Sequence, residues 1–151
     1  MREEERYELE VHVAGICIRH NSTYEVLIAK RSDDRKIYPG KWECGGGQIN
    51  PGESFEEALV RQLKEELNID AEIIAPVGFY EIRADELDQK KIPGVYVVCK
   101  VVGGEPKVDN KELVELKWCP INEIKDMDLI PGMYKEILNA VEIFKQNEEG
   151  N

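Results

Sequence analysis

The chain has 151 residues, a length that favours one domain built around one hydrophobic core. It is acidic, with 20 Lys and Arg residues against 31 Asp and Glu residues and a formal net charge of −11 at pH 7. This balance argues against binding to nucleic acid polymers and to anionic membranes, because both kinds of binding depend on lysine and arginine. An excess of carboxylates instead suits a site that collects divalent metal ions.

Cysteine usage and the ends of the chain bear on location. The four cysteines form no C-x-x-C pair, and with only two histidines in the chain we expect no structural zinc site. The thiols are therefore expected to be small apolar residues of strands in a reducing cytosol. Residues 1–6 are charged and do not resemble a signal peptide, and no apolar run reaches the roughly 20 residues of a membrane helix. Together these features predict a cytoplasmic protein.

The first part of the chain predicts strands and one surface loop. Residues 9–19 and 24–30 are rich in β-branched residues and partly alternate in polarity, so each is predicted to be a strand. Residues 31–41 are polar and contain a Pro-Gly turn, which is typical of a loop. Residues 42–44 predict a short strand before three glycines.

A helix is predicted next, over residues 55–67. Ser54 and Glu57 have the S-x-x-E spacing of a capping box, which marks a helix start. Large apolar residues then recur every four positions, as expected for the side of a helix that faces a core: Phe55, Leu59, Leu63 and Leu67.

The remaining elements complete a mixed domain. Residues 71–83, 92–102 and 113–118 are predicted strands, and residues 84–91 a charged loop. The C-terminal residues 146–151 are expected to fray. Before them, helical spacing predicts an amphipathic helix with the apolar residues Ile130, Met133, Tyr134, Ile137, Leu138, Val141 and Phe144. The order predicts one α/β domain over residues 1–151, with helices packed on a sheet.

The polar side of the central helix carries a concentration of carboxylates. Residues three and four apart share a helix face, so Gln62, Glu65 and Glu66 are neighbours, and Glu53 lies just before the helix. Carboxylates this close repel one another, so the cluster suggests a bound cation such as Mg²⁺. The preceding glycines would let the backbone approach a ligand closely. The alternative is that this acidic face is simply solvated surface.

The spacing of the whole segment resembles a known motif. The Nudix box is G-x5-E-x7-R-E-U-x-E-E-x-G-U, where U is a bulky aliphatic residue. The residues that match it lie between positions 47 and 69 and are Gly47, Glu53, Arg61, Leu63, Glu65, Glu66 and Ile69. Residues 39–43 before the box and residues 112–118 after it are similar to those of the MutT-like branch. The chain is thus identified by resemblance as a single Nudix hydrolase domain.

This resemblance implies a fold and a reaction. The implied fold is a Nudix-type α/β/α sandwich with a mixed β-sheet between helices. The implied reaction is metal-dependent hydrolysis of a diphosphate bridge in a nucleoside diphosphate derivative, with Mg²⁺ or Mn²⁺. A small-molecule nucleotide, and first a nucleoside triphosphate, is the expected substrate. ADP-ribose or a nucleotide sugar is the alternative. Homodimers are common in the family, so a homodimer is one of the states to test.

The resemblance also assigns roles to individual residues. It implies that Glu65, Glu66 and the backbone carbonyl of Gly46 bind the metal ion. Arg61 matches the arginine that orients the acidic cluster, and Glu53 matches the acid that pairs with that arginine and braces it.

Two residues depart from the motif. Asn68 replaces the box glycine, a mild change because asparagine tolerates the left-handed conformation of a helix C-cap. Gln62 replaces a glutamate that is a metal ligand in the family and in several members the general base. Glutamine still offers a carbonyl oxygen to a metal but does not accept a proton from water. Three interpretations stay open. Gln62 is an introduced change that slows turnover, or the protein binds a nucleotide without hydrolysing it, or another acid is the base, such as Glu66, Glu57 or Glu112.

Three residues outside the box are candidates for substrate contacts. Trp42 is a candidate to stack on a base, with packing beside the turn as the alternative. Arg31 is a candidate phosphate contact, with an ion pair as the alternative. Glu112 precedes the last predicted strand and is a candidate at the substrate as well as a candidate base.

Overall fold

The computed structural model of the protein describes residues 9–82 and 91–150. Within these ranges, seven strands and two α-helices follow in the order β1 His12–His20, β2 Tyr24–Arg31, β3 Trp42–Glu43, β4 Gly46–Gln48, α1 Phe55–Leu67, β5 Ile69–Ile82, β6 Ile92–Gly104, β7 Leu113–Pro120 and α2 Met133–Glu149. A 3-10 helix, Ile121–Asp126, follows β7 directly. In the described part of the chain, neither helix is long and apolar enough to cross a bilayer.

The strands form one mixed sheet. The path through it runs β3-β2-β1-β6-β5, while β4 pairs with β1 and β7 pairs with β2. β1 runs parallel to β6, with Cys17 opposite Cys99, and antiparallel to β2 and β4. β1 pairs with β6 and β4 along its first part and with β2 only from Ile18 onward. Strand β1 is therefore the element against which the glycine-containing strand β4 is aligned.

Two hydrophobic layers cover the two faces of this sheet. Successive side chains of a strand point to opposite faces. Accordingly, Val13 and Cys17 of β1 pack with α1, whereas Ile16 and Ile18 pack with α2. This arrangement confirms the predicted α/β/α sandwich with its mixed sheet.

Helix α1 has the bounds that the sequence predicts. Ser54 Oγ accepts a hydrogen bond from Glu57 N, and Glu57 Oε1 accepts one from Ser54 N, both at 3.1 Å, so the predicted capping box is confirmed. The helix ends at Asn68, which has the left-handed φ of 58°. Leu59 and the next two leucines of the predicted apolar side are buried. Phe55, in the first turn, is 47% exposed, so the prediction that it faces the core was wrong.

Several predicted bounds differ from the observed ones. Strand β4 was missed because two of its three residues are glycines, which have low strand propensity. Strand β5 begins at Ile69, directly after the helix cap, and not at residue 71. The predicted strand end at residue 83 and the predicted loop up to residue 90 lie outside the described residues.

Helix α2 also differs from its prediction at both ends. It starts at Met133, because Pro131 and Gly132 precede it and Gly132 has a φ of 83°. Ile130 therefore lies before the helix. Residues 146–149 are helical and not frayed, since Glu148 ties this end to the sheet. Its carboxylate accepts a hydrogen bond from the Tyr24 hydroxyl at 2.6 Å, and its second oxygen lies 3.0 Å from Nδ1 of His20.

The cysteines occupy the positions expected of apolar residues. Cys17, Cys44, Cys99 and Cys119 are all buried free thiols. They belong to the two hydrophobic layers, where a thiol packs as a small apolar group.

Candidate active site

Strand β4 holds its backbone against β1 on one side and helix α1 on the other. Gly46 lies opposite Ala14, and a Cβ atom at Gly46 would be 2.2 Å from the carbonyl oxygen of Val13. No other residue fits there without moving the backbone, so glycine is required for this close approach. On the helix side, Gly46 N donates a hydrogen bond to Glu66 Oε2 at 3.3 Å. The motif glycines thus bring bare backbone to the carboxylates of α1.

Arg61 connects the acidic residues to this strand. Its Nε and Nη2 donate to the two oxygens of Glu53 at 2.7 and 2.9 Å, a bidentate pair. Its Nη1 donates to Glu65 at 3.3 Å, and Nη2 also donates to the carbonyl of Gln48 at 3.2 Å. Hydrogen bonds from Arg61 and then from the N–H of Asn50 lower the pKa of Glu53. The guanidinium therefore joins Glu53, Glu65 and strand β4 in one array.

The surroundings of Glu66 disfavour the ionised form of its carboxylate. Burial first, and then the negative charges of Glu43 and Glu112, raise its pKa to about 8. The N–H of Gly46 and the charge of Arg35 act in the opposite direction without cancelling these effects. A group destabilised in this way near a cavity is typical of a functional site.

Gln62 is buried, with 9% of its surface exposed. Its Nε2 donates to the carbonyl oxygen of Gln48 at 2.9 Å, the same oxygen that accepts a hydrogen bond from Arg61. The glutamine that departs from the motif is thus in contact with the backbone of β4.

These groups open on one cavity of about 780 Å³, within the range of roughly 300–1,000 Å³ typical of small-molecule sites. The structure brings six predicted residues of the box region to its wall, namely Gly46, Gly47, Arg61, Gln62, Glu65 and Glu66. Arg31 and Glu112 also line it. Glu53 does not appear on the wall and contacts the site through Arg61.

Arg31 is engaged in internal contacts. Its Nη1 donates to Glu43 Oε2 at 2.6 Å, and its Nε and Nη2 donate to the carbonyl of Ile37 at 3.0 and 2.8 Å. Only 9% of the residue is exposed. Arg31 therefore forms an ion pair, which was the alternative to a phosphate contact. This pair is buried and not at the surface. Burial raises the pKa of Glu43, and the charge of Arg31 acts against that rise.

Trp42 is not placed as a stacking residue. It is 8% exposed and packs in the hydrophobic layer under α2, with Lys117 Nζ 5.5 Å from its ring centroid. Strand β3 pairs with β2 at this point and turns the indole into the core. The expectation that Trp42 stacks on a base is therefore corrected: the residue packs in the core.

The three acids considered as a base lie in different positions. Glu57 has an oxygen bound to Ser54 N in the capping box and is not on the cavity wall. Glu66 and Glu112 both line the cavity. The Glu112 side chain is 73% exposed, and its Oε2 lies 3.9 Å from Nη1 of Arg35. Glu112 is therefore an accessible carboxylate facing the same space as Glu66.

Several other residues of the cavity wall were not identified from the sequence, among them Arg35, Glu43, Tyr80 and Tyr96. One signal for Glu43 was available, because it follows Trp42 in a strand and so points to the opposite face. The tyrosines lie on β5 and β6 as neighbours across the sheet, with ring centroids 4.5 Å apart. Nothing in the local sequence distinguishes them from other strand residues.

The oxygen atoms around Glu66 bear on whether a divalent metal ion fits this site. Within residues 9–82 and 91–150, no group of three or more His, Cys, Asp or Glu side chains is arranged to hold a metal. The oxygen donors present are two adjacent carboxylates, Glu65 and Glu66, and the backbone of Gly46. Mg²⁺ is bound in this way by one or two carboxylates, completing its shell with water and substrate phosphates. A cation would also offset the unfavourable charge of the buried Glu66. The donor set therefore fits a divalent metal ion.

The described residues thus form a mixed sheet between two helices, with a glycine strand and Arg61-braced carboxylates at one cavity. The NUDIX domain family model matches residues 10–139 of this chain. The chain belongs to the Nudix family, and it is a hydrolase of the Nudix pyrophosphohydrolase type.

Among the proteins similar to this chain are two relatives and one solved structure. The chain is 32% identical over 119 residues to "Nucleoside triphosphatase NudI" of Enterobacter sp. (strain 638), covering 74% of this chain and 83% of that protein. It is 33% identical over 117 residues to "Putative 8-oxo-dGTP diphosphatase" of Bacillus subtilis (strain 168), covering 78% and 71%. The solved E. coli ORF135 protein superimposes with a TM-score of 0.71 at 25% identity, covering 91% of each chain.

Proposed function

We propose that the protein is a metal-dependent, MutT-like pyrophosphohydrolase that cleaves a diphosphate bridge in a nucleoside triphosphate. The observation that carries this proposal is the meeting of Glu65, Glu66 and the Gly46 backbone at one cavity, with Arg61 bridging Glu53 to Glu65. Similarity to a nucleoside triphosphatase and to a putative 8-oxo-dGTP diphosphatase supports a triphosphate over ADP-ribose or a nucleotide sugar.

The residues proposed to hold Mg²⁺ or Mn²⁺ are Glu65, Glu66 and the carbonyl of Gly46. When bound, such an ion supplies neutralisation of the diphosphate charge and a lower pKa for a coordinated water molecule. The chain supplies the rigidity of the site. Arg61 is held by both oxygens of Glu53 and in turn orients Glu65, so the carboxylates keep their places before substrate arrives.

Glu112 is the residue we assign as proton acceptor. Gln62 has no basic oxygen, Glu57 belongs to the capping box, and Glu66 is required as a metal ligand. Glu112 lines the same cavity, and its carboxylate is accessible to water. In this role it takes a proton from the attacking water, while the neighbouring Arg35 lies close enough to attract the anionic substrate.

The test is a hydrolysis panel with the purified chain. Nucleoside triphosphates including 8-oxo-dGTP, ADP-ribose and nucleotide sugars are each incubated with Mg²⁺ and with Mn²⁺. Phosphate and pyrophosphate are measured separately, and nucleotide products are identified. The expected result is pyrophosphate and a nucleoside monophosphate from at least one triphosphate, with no turnover in a metal chelator.

Controls separate this proposal from its alternatives. Glu142→Gln, on the exposed side of α2, should keep full activity, whereas Glu66→Gln should lose it. Turnover of ADP-ribose or a nucleotide sugar alone would replace the proposed substrate. Nucleotide binding by calorimetry without any turnover would mean that the chain is a nucleotide-binding module.

A further inference from the structure

The carbonyl oxygen of Gln48 is a point where strand β4 and helix α1 meet. It belongs to strand β4 and accepts hydrogen bonds from two side chains of helix α1, Gln62 Nε2 at 2.9 Å and Arg61 Nη2 at 3.2 Å. In a third contact the strand is the donor, since Gly46 N donates a hydrogen bond to Glu66 Oε2 of the helix. Strand β4 is thus attached to the helix through donors and acceptors on both sides.

The Gln62 carboxamide is closely confined in this arrangement. A Cβ atom at Gly47 would lie 2.8 Å from both Nε2 and Oε1 of Gln62 and 2.9 Å from its Cδ. The amide group therefore lies directly against the Cα of Gly47, where a larger residue would push it away. Only 9% of Gln62 is exposed, so its position is set by packing as well as by its hydrogen bond.

This geometry requires a donor at position 62. A carbonyl oxygen only accepts hydrogen bonds, and an ionised carboxylate also only accepts them. A glutamate of the same shape would bring an oxygen to a distance of about 2.9 Å from the Gln48 carbonyl, where two acceptors repel. It would have to turn away from β4, and the packing against Gly47 restricts that movement.

We infer that Gln62 is a positioning residue, which fixes the Gln48 carbonyl and with it strand β4, and that it is neither the metal ligand nor the proton acceptor of the site. The inference deepens the proposed function, since strand β4 carries the Gly46 carbonyl proposed to bind the metal ion. On this inference, the glutamine at position 62 departs from the Nudix box because the role of that position has changed. A charged ligand has been exchanged for a neutral donor that organises the backbone.

The experiment compares two substitutions at position 62 with two matched controls. Gln62→Met keeps the size of the side chain and removes the donor, and Gln62→Glu restores the residue type of the motif. Gln146→Glu makes the same chemical change on the exposed side of α2. Ile137→Val destabilises the core under α2, and Ile137 is not one of the residues that line the cavity.

Three readouts are used. The melting temperature of the metal-free chain measures the contribution of the contact to stability. The dissociation constant of Mn²⁺, by calorimetry without nucleotide, measures metal binding. Steady-state kinetics on the best substrate of the panel gives kcat and KM.

We expect Gln62→Met to lower the melting temperature by about 2–4 °C, the shift produced by losing one hydrogen bond of average strength in a domain of this size. Gln62→Glu should lower it at least as much and should bind Mn²⁺ no more tightly than the parent chain. Both should lower kcat about tenfold or more with KM within about twofold, because strand β4 is displaced. Ile137→Val should lower the melting temperature and keep kcat, and Gln146→Glu should change neither.

Two results would overturn the inference. One is an unchanged melting temperature in Gln62→Met. The other is a tenfold tighter Mn²⁺ affinity with a higher kcat in Gln62→Glu, which would make position 62 a ligand position. If the parent chain hydrolyses nothing in the panel, the proposed function fails, while melting temperature and Mn²⁺ affinity still decide the role of Gln62.

Discussion

The two helices perform the same packing task and differ in what their polar sides do. α1 buries Leu59, Leu63 and Leu67 on one face of the sheet, and α2 buries Ile137, Phe144 and their neighbours on the other. The polar side of α1 contacts the glycine strand through its arginine, its glutamine and a glutamate. Function was thus added to a helix that the sheet needed in any case for its core.

Two glutamates, one on each helix, have pKa values that the fold shifts in opposite directions. The fold raises the pKa of Glu66 on α1 to about 8, mainly through burial, whereas it lowers the pKa of Glu148 on α2 through hydrogen bonds from Tyr24 and His20. Glu66 is held at a cost in stability, and Glu148 contributes to stability. A residue kept in spite of its cost is expected where activity requires it.

The largest effect is expected for Glu66→Gln. Activity should fall by about 10³-fold or more, since a bound metal ion is worth several kcal/mol of transition-state stabilisation and this ligand would be lost. The melting temperature without metal should stay the same or rise, because the buried charge is gone. Glu148→Gln is the opposite case, with activity kept and the melting temperature lowered. Equal losses of stability in both variants would remove the distinction between the helices.

Glu112→Gln should lower kcat by about 10²–10⁴-fold, the usual contribution of a general base. The Mn²⁺ dissociation constant should change by less than about threefold, since Glu112 is not among the proposed ligands. Steady-state kinetics and calorimetry on the same preparation measure the two quantities. Full activity of Glu112→Gln would show that Glu112 is not the base.

Core truncations should affect the two helices equally in stability. Leu63→Ala and Ile137→Ala are each expected to reduce the free energy of unfolding by about 2–5 kcal/mol, as both side chains are fully buried. Denaturant titration gives these values. Only Leu63→Ala should also weaken Mn²⁺ binding, because Leu63 packs directly against Gly45 beside strand β4. Weaker binding in both variants would mean that the site depends on the whole core.

Ser54→Ala should cost about 1 kcal/mol of unfolding free energy, the typical value of an N-cap side chain. The loss is expected because the Ser54 hydroxyl accepts the hydrogen bond from Glu57 N, whereas the second bond of the box is donated by the Ser54 backbone N–H and stays. Helix α2 has no side-chain cap at Gly132, so it has no corresponding contribution to lose. Thermal unfolding at neutral pH measures the effect, and an unchanged melting temperature would contradict it.

The smallest effect concerns the pH dependence at the end of α2. Since the folded pKa of Glu148 is lowered, its contribution is present above the unfolded pKa near 4.5 and is lost as pH falls through the folded value. The pKa of Tyr24 is raised to about 12, so its contribution is present below pH 10 and is lost as pH rises towards 12. Melting temperatures across pH should show both losses in the parent chain. In Glu148→Gln the acid loss should be smaller, with the part that comes from the lowered pKa of Glu53 remaining, and the alkaline loss should be smaller as well.

Helix α1 and the spacing of the chemical groups along it could be predicted from the sequence. The capping box, the period of the leucines and the box residues all depend on neighbours within one or two helical turns, so local patterns suffice to identify them. The strands β1, β2, β6 and β7 were found for the same reason, with errors of a few residues at their ends.

The hydrogen-bond and packing partners of these groups depend on the tertiary fold and could not be predicted in this way. Gln62 contacts a carbonyl 14 positions away, and Arg31 pairs with a glutamate 12 positions away, each on a different element. Trp42 faces the core because β3 pairs with β2, which no local pattern specifies. Strand β4 itself exists because β1 and α1 leave room for bare backbone between them, so its residues show little strand propensity of their own.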